Sequence, residues 1–84
     1  MTAIIMPQVG QDIPSATIVE WVKKEGEAVK KGEIVVVVES EKAAFEVEAD
    51  ADGVLLKILH AEGEEVEILK PIGYIGEPGE VFEG

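Results

Sequence analysis

The chain is built from two similar halves. Glu25-Gly26-Glu27 recurs 37 positions later as Glu62-Gly63-Glu64, and the same offset places the apolar run 54–59 on the run 17–22. A half of this size cannot bury its own apolar surface, so the two halves are expected to pack together about a pseudo-two-fold axis. The repeat therefore restricts the chain to folds with internal two-fold symmetry.

Both halves have the pattern of short β-strands joined by tight turns. Apolar runs rich in β-branched residues alternate with clusters of Gly, Pro and Asp, and no stretch has a helical period. Strands at this spacing are typical of an all-β sandwich or flattened barrel. Strands are predicted at 2–6, 16–22, around Val29, at 34–38, 44–49, 54–59 and around Val66.

The repeat also predicts which face of each strand is buried. Glu20 and Lys57 occupy equivalent positions in the two halves and are flanked by large apolar residues. Because side chains alternate along a strand, the charged pair is expected to point outward and its neighbours inward. The residues predicted to point inward are Val19, Trp21, Leu56 and Ile58.

Composition narrows the classes of function. The chain has 84 residues, enough for one small domain, and its seven basic and eighteen acidic residues give a formal net charge of −11. This charge repels phosphate backbones and anionic lipid headgroups, so no nucleic-acid or membrane partner is expected, whereas basic patches on proteins would be attracted. Cysteine is absent, which excludes disulfides and thiolate metal sites. No signal peptide, transit peptide or membrane span is expected either.

Patterns that carry catalytic or metal-binding chemistry are missing. Ser15 and Ser40 have no base at a suggestive spacing, and His60 follows a predicted strand, where a surface position is expected. Asp50-Ala51-Asp52-Gly53 is too short for a calcium loop and is typical of a turn. The chain is therefore predicted to be non-catalytic when it acts alone.

One lysine is distinguished by its place between two strands. The apolar run 34–38 precedes it, and the run 44–49, which alternates apolar and acidic residues, follows it. This pattern predicts a hairpin with Lys42 at its tip. A lone lysine on a rigid turn is suited to covalent attachment of a group, although an ordinary exposed turn lysine is the alternative.

The residues around this lysine resemble a known motif. The stretch Glu39-Ser40-Glu41-Lys42-Ala43-Ala44-Phe45-Glu46-Val47, followed by Gly53-Val54, resembles the attachment motif of lipoyl domains in 2-oxoacid dehydrogenase complexes. The stretch 17–21 and the turn Glu25-Gly26-Glu27-x-Val29 are similar too, so the resemblance covers roughly residues 2–77. Glu41 stands where Asp is more usual in this motif. The difference leaves the target lysine in place but affects how well a given ligase recognises the turn.

The resemblance implies a fold, a cofactor and a site. The fold would be a flattened barrel of two four-stranded antiparallel sheets, with Lys42 carrying lipoate in amide linkage. Residues 1–77 would form the lipoyl domain, and residues 78–84 a C-terminal tail or the start of a linker. The enzyme that attaches the group, a lipoate-protein ligase or a lipoyl/octanoyl transferase, would recognise the turn through Glu39, Glu41 and Ala43.

The resemblance also implies three partners. In this family the arm is acylated by a thiamin-diphosphate 2-oxoacid decarboxylase and delivers the acyl group to coenzyme A at a dihydrolipoyl acyltransferase core. A dihydrolipoyl dehydrogenase then reoxidises the dithiol. The compartment would be the cytoplasm of a bacterium or archaeon, or the mitochondrial matrix for a domain of a eukaryotic protein.

Other carriers are alternatives. A biotin carboxyl carrier domain would share the fold and the hairpin lysine, but biotinyl turns usually read Met-Lys-Met, whereas Glu41 and Ala43 flank Lys42 here. An unmodified structural adaptor would not need the lysine. The lipoylated H protein of glycine cleavage is longer and contains helices.

The loop after the first strand is longer than its counterpart. Residues 8–15 connect two strands in the first half, where residues 49–53 suffice in the second half. In related lipoyl domains this loop lies beside the lipoyl hairpin and helps the decarboxylase to select its domain. The residues expected to lie near Lys42 and to contribute to partner choice are Val9, Gly10, Gln11, Asp12 and Ile13; a tolerated insertion is the alternative.

Overall fold

The computed structural model describes residues 1–80, which form eight β-strands. The strands are β1 (Thr2–Ile5), β2 (Ser15–Trp21), β3 (Ala28–Val29), β4 (Ile34–Glu39), β5 (Ala44–Glu48), β6 (Gly53–Ile58), β7 (Glu65–Glu67) and β8 (Pro71–Gly76). Over these 80 residues the chain forms no helix with the length and apolar character needed to cross a membrane. The predicted tail, residues 78–84, falls partly outside the described residues.

The strands form two antiparallel four-stranded sheets. Their orders are β1-β8-β6-β3 and β5-β4-β2-β7, so each sheet takes two strands from each half of the chain. Strands β2 and β4 pair within the first half and β6 and β8 within the second, and each sheet is completed by strands that pair with the other half. The predicted all-β fold of two four-stranded sheets with internal two-fold symmetry is confirmed.

Hydrogen bonds repeat with the offset predicted from the sequence. The Gly26 N–H donates to the Leu55 carbonyl at 2.7 Å, and the equivalent Gly63 N–H donates to the Ile18 carbonyl at 2.7 Å. Both glycines adopt left-handed backbone conformations, with φ of 93° and 92°. The two halves therefore interlock through matching turns, each of which binds the opposite half.

A β-bulge in β2 corrects one part of the predicted face assignment. The pairing of β2 with β4 shifts between Ile18 and Glu20, which leaves Val19 as the extra residue. A bulge interrupts the alternation of side chains. Ile18 is therefore fully buried while Val19 is 45% exposed, and the prediction that Val19 points inward is wrong.

An equivalent bulge in β6 has the same consequence. The pairing of β6 with β8 shifts between Leu55 and Lys57, so that Leu55 is fully buried and Leu56 is only half-buried outside the core. The prediction for Leu56 is wrong for the same physical reason. After each bulge the side chains alternate as predicted, since Trp21 and Ile58 are half-buried and pack against the core.

The core between the sheets is entirely apolar over the described residues. Its buried members are Ile4, Met6, Val9, Ala16, Ile18, Val29, Val35, Val36, Val38, Ala49, Leu55, Val66, Ile72 and Ile75. Medium-sized aliphatic side chains suit the narrow space between two facing sheets. This packed body holds the turns at its ends in fixed positions.

Trp21 connects the two sheets at the edge of this core. Its indole N–H donates to the carbonyl of His60 at 2.8 Å. Its ring lies against Gly73 of β8, where an added Cβ would be 3.1 Å from the ring and 2.8 Å from the Lys57 carbonyl. Trp21, which was predicted to point inward, is half-buried, packs against the core and bridges the two sheets.

Candidate functional site

The predicted hairpin is present and has Lys42 in its turn. Strands β4 and β5 pair up to Glu39 and Ala44, and residues 40–43 form the connection. The Ser40 N–H donates to the Ala43 carbonyl at 2.8 Å, and the Lys42 N–H donates to Ser40 Oγ at 3.3 Å. The turn therefore has a defined backbone path, and Ser40 helps to set it.

Ser40 is a residue of the site that sequence reasoning passed over. It was considered as a nucleophile, although a serine at the start of a turn commonly bonds to nearby backbone groups. Its hydroxyl accepts a bond from Lys42 and lies 3.4 Å from the Ala43 carbonyl, to which it donates. The role of Ser40 in the turn could have been predicted from its position directly after a strand, and not from the reactivity of its hydroxyl.

The side chains flanking Lys42 face solvent. Lys42, Glu39, Glu41 and Ala43 are all exposed. Across residues 1–80 the Lys42 ammonium takes part in no ion pair. The amine can thus reach the active site of another protein, and the three residues predicted to mark the turn for a modifying enzyme are accessible as well.

A cleft of about 390 Å³ separates the hairpin from the loop after β1. It is lined by Asp12, Ile13, Pro14, Ser15, Ala16, Thr17, Glu39, Ser40, Glu41 and Glu65. Within this lining the Ser15 hydroxyl donates to the Glu65 carboxylate on the neighbouring strand at 2.6 Å. The structure therefore brings residues 12–14 of the long loop to the Lys42 turn, and carboxylates surround the opening of the cleft.

The five loop residues predicted to guide partner choice divide into two groups. Gln11 and Asp12 are exposed, and half-buried Ile13 lines the cleft. Val9 is 7% exposed and belongs to the core, so its side chain anchors the loop instead of facing a partner. Gly10 lies close to Ile13, because an added Cβ would be 2.8 Å from the Ile13 side chain.

His60 has structural partners. Its ring Nδ1 lies 3.0 Å from a carboxylate oxygen of Glu64, and its carbonyl accepts the indole N–H of Trp21. The pKa of Glu64 is lowered, first by the hydrogen bond from the Ala61 N–H at 2.7 Å and then by His60. No group of three His, Cys, Asp or Glu side chains within residues 1–80 is placed to hold a metal ion.

Comparison with known proteins agrees with this geometry. A family profile described as "Biotin-requiring enzyme" matches residues 2–75. The solution structure of the lipoyl domain of the 2-oxoglutarate dehydrogenase complex from Azotobacter vinelandii superposes with a TM-score of 0.76. It is 38% identical, and the match covers 94% of this chain and 100% of that domain.

The curated relatives are acyltransferase components of 2-oxoacid dehydrogenase complexes. The chain is 42% identical over 74 residues to the dihydrolipoyllysine-residue succinyltransferase component of the 2-oxoglutarate dehydrogenase complex of Rickettsia bellii. It is 45% identical over 74 residues to the chloroplastic dihydrolipoyllysine-residue acetyltransferase component 4 of the pyruvate dehydrogenase complex of Arabidopsis thaliana. These matches cover 88% of this chain but only 18% and 15% of the relatives.

The two sheets, the hairpin lysine and these matches define a domain that displays a covalently attached cofactor. The chain belongs to the biotin/lipoyl-attachment family and is a lipoyl domain, which confirms the resemblance seen in the sequence. Lipoyl domains are non-catalytic carriers that hold lipoate on a lysine. The exposed Lys42, held on a rigid turn and unpaired across residues 1–80, fits that attachment.

Proposed function

We propose that this domain is the swinging arm of a 2-oxoacid dehydrogenase complex and that Lys42 is its attachment site. The observation that carries the proposal is the exposed Lys42 at the tip of the β4–β5 hairpin. Attachment joins the lipoate carboxyl to Lys42 Nζ as an amide, with activation of the carboxyl supplied by the modifying enzyme. Once bound, the lipoyl group supplies acyl transfer and two-electron redox chemistry, whereas the domain supplies display and recognition.

The other lysines differ from Lys42 in position. Lys23 lies 3.5 Å from Glu33 in an ion pair, and Lys57 projects from the middle of β6. The remaining four lie in other turns, none of which is the β4–β5 connection: Lys24, Lys30, Lys31 and Lys70. A modifying enzyme that recognises a lysine on a hairpin tip would therefore select Lys42.

The proposed partners follow from the complexes to which the relatives belong. A thiamin-diphosphate 2-oxoacid decarboxylase would acylate the arm, an acyltransferase core would accept the group, and a dihydrolipoyl dehydrogenase would reoxidise it. The acidic rim of the cleft, formed by Asp12, Glu41 and Glu65, supports partners with basic docking surfaces. The relatives include components of both 2-oxoglutarate and pyruvate dehydrogenase complexes, so the proposed substrate of the complex is a 2-oxoacid of one of these two kinds.

The attachment proposal is tested by intact mass after expression with a lipoate-protein ligase and lipoate, and separately with a biotin ligase and biotin. We expect one lipoyl group on the wild-type domain, none on Lys42→Arg, and one on the control variant Lys57→Arg. Both variants should keep the melting temperature of the wild type. A lipoyl group on Lys42→Arg would show that another lysine is the site, and stoichiometric biotin would favour a biotin carrier.

A further inference from the structure

Leu69 combines exposure with an unfavourable backbone conformation. Its side chain is 64% exposed, more than that of any other large apolar residue in the described part of the chain. Its φ of 68° lies in the left-handed region, which side chains with a Cβ adopt at a cost in free energy. A leucine there is disfavoured twice, by its backbone and by its contact with water.

The equivalent turn in the first half shows that the fold needs no side chain at this position. The repeat offset places Leu69 on Gly32, whose φ is 89°. The Gly32 N–H donates to the Ala49 carbonyl at 2.9 Å, and the Leu69 N–H donates to the Met6 carbonyl at 2.8 Å. Since both turns place a left-handed residue with a matching N–H donor at this position, and Leu69 is outside the apolar core, packing within the domain does not account for the leucine.

Leu69 lies at the same end of the domain as Lys42. Strand pairing aligns Glu39, Thr17 and Glu65 in one row across β4, β2 and β7. The Lys42 turn follows Glu39, and the turn 68–70 lies on the same side of that row, because the Ile68 N–H donates to the Pro14 carbonyl at 3.0 Å. Two strand spacings separate β4 from β7, about 10 Å.

The surroundings of Leu69 indicate the chemistry of a partner. Ile5, which pairs with Pro71 next to this turn, is 38% exposed and is a second exposed apolar side chain near it. Exposed Glu67 and Glu65 on β7 supply acids on the strand before it, and exposed Lys70 follows it in the turn. A complementary surface would present an apolar recess with basic side chains on the side that faces the β7 glutamates, and burial of the leucine there would offset the cost of exposing it to water.

We infer that Leu69 is a contact residue for the decarboxylase that acylates the arm, which would dock on the Lys42 end through an apolar recess flanked by basic groups. The inference rests on the proposed function, since it assigns a partner surface for the same acyl transfer. It places this contact on the far side of the cleft from the hairpin, so that a docked decarboxylase would span the whole end of the domain.

The test compares Leu69→Asn with Leu69→Met. Asparagine tolerates the left-handed conformation but removes the apolar surface, whereas methionine keeps an apolar side chain. The matched control is Val22→Asn, since Val22 is 45% exposed but follows the far end of β2. Each domain is lipoylated and assayed for reductive acylation by pyruvate, 2-oxoglutarate and branched-chain 2-oxoacid decarboxylases, and the enzyme most active on the wild type is analysed further.

We expect Leu69→Asn to lower kcat/KM for reductive acylation about tenfold, with lipoylation and Tm at least at the wild-type level. Leu69→Met and Val22→Asn should stay within about twofold of wild type. In NMR titrations of the unlipoylated domain with the same decarboxylase, Kd should rise by a similar factor for Leu69→Asn alone.

Other outcomes would overturn the inference. Wild-type kcat/KM in Leu69→Asn would show that the partner does not contact this residue, and a large fall in Tm would show a structural role. A wild-type dimer in sedimentation that Leu69→Asn dissociates would assign the surface to a second copy of the chain. A lipoylated wild-type domain that no decarboxylase acylates would overturn the proposed function itself, a result that is visible without any variant.

Discussion

The two halves of the domain agree in the features that hold the fold together. The Glu62 carboxylate accepts the Trp21 N–H at 2.9 Å, and the equivalent Glu25 carboxylate accepts the Ile58 N–H at 2.9 Å. Bulges occur at equivalent positions of β2 and β6. These shared features tie each half to the other, which explains why they recur in both.

The halves differ at the end of the domain that carries Lys42. Residues 6–14 connect β1 to β2, whereas residues 49–52 suffice between β5 and β6. Leu69 stands where the first half has Gly32, and the Lys42 turn joins two strands that have no such connection in the second half. All three departures lie at the Lys42 end, so the shared features belong to the scaffold and the departures lie at the proposed site.

The largest expected effect on stability comes from one pair of equivalent residues. Trp21→Ala removes a ring that bridges the sheets and a hydrogen bond to His60, so we expect a loss of about 2–3 kcal/mol in the free energy of unfolding. Ile58→Ala, its symmetry partner, should cost about 1–2 kcal/mol. Chemical denaturation of both variants measures the difference.

Trp21→Phe separates the two contributions of this residue. It keeps an aromatic ring over Gly73 but removes the indole donor, and should cost about 1 kcal/mol. If Trp21→Ala were no more destabilising than Ile58→Ala, the tryptophan would not be a bridge between the sheets. Trp21 and Ile58 would then contribute equally to the free energy of unfolding, although only Trp21 makes the contacts described above.

The next effect concerns the long loop. The double variant Gln11→Ser/Asp12→Gly changes exposed side chains and suits the positive φ of 64° at Asp12. We expect reductive acylation to fall about tenfold, while lipoylation and Tm stay close to wild type. Truncation of the whole loop is a poorer test, because it would remove Val9 from the core.

Asp50→Gly is the matched control for this loop. Asp50 is exposed in the equivalent connection, but all of β5 separates it from the Lys42 turn, about 17 Å for five residues. Its acylation rate should equal that of the wild type. Equal rates in the loop variant and in the control would support the alternative that the longer loop is a tolerated insertion.

The fold could be predicted because the repeat, the strand pattern and the turn glycines all indicate the same architecture. The burial of Val19 and Leu56 was predicted wrongly, since a bulge is a single unpaired residue that leaves the apolar pattern unchanged. The place of Lys42 in a hairpin turn could be predicted because the pattern around it is local in sequence. The exposure of Leu69 was not anticipated. The residue stands out only once its left-handed φ is known and compared with that of Gly32.

The smallest predicted effect distinguishes two equivalent glutamates by their pH dependence. Glu64 accepts the Ala61 N–H at 2.7 Å, and Glu27 accepts the equivalent Lys24 N–H at 2.7 Å. Only Glu64 has an imidazole beside it, since His60 has its counterpart in Lys23, which pairs with Glu33. The comparison therefore isolates the contribution of His60.

The lowered pKa of Glu64 fixes the sign of the effect. A carboxylate whose pKa is lower in the folded state stabilises the fold above its unfolded value of 4.5, and this contribution disappears as the pH falls through the folded pKa. We expect Glu64→Gln to lower Tm slightly at pH 7, by about 2 °C, with the gap closing as the pH falls through the lowered folded pKa. Glu27→Gln should show a smaller gap at pH 7. Because the Glu64 side chain is exposed, 0.5 M salt should shrink its gap further, whereas a gap that persists once the carboxylate is protonated would show that lost shape, and not lost charge, destabilises the variant.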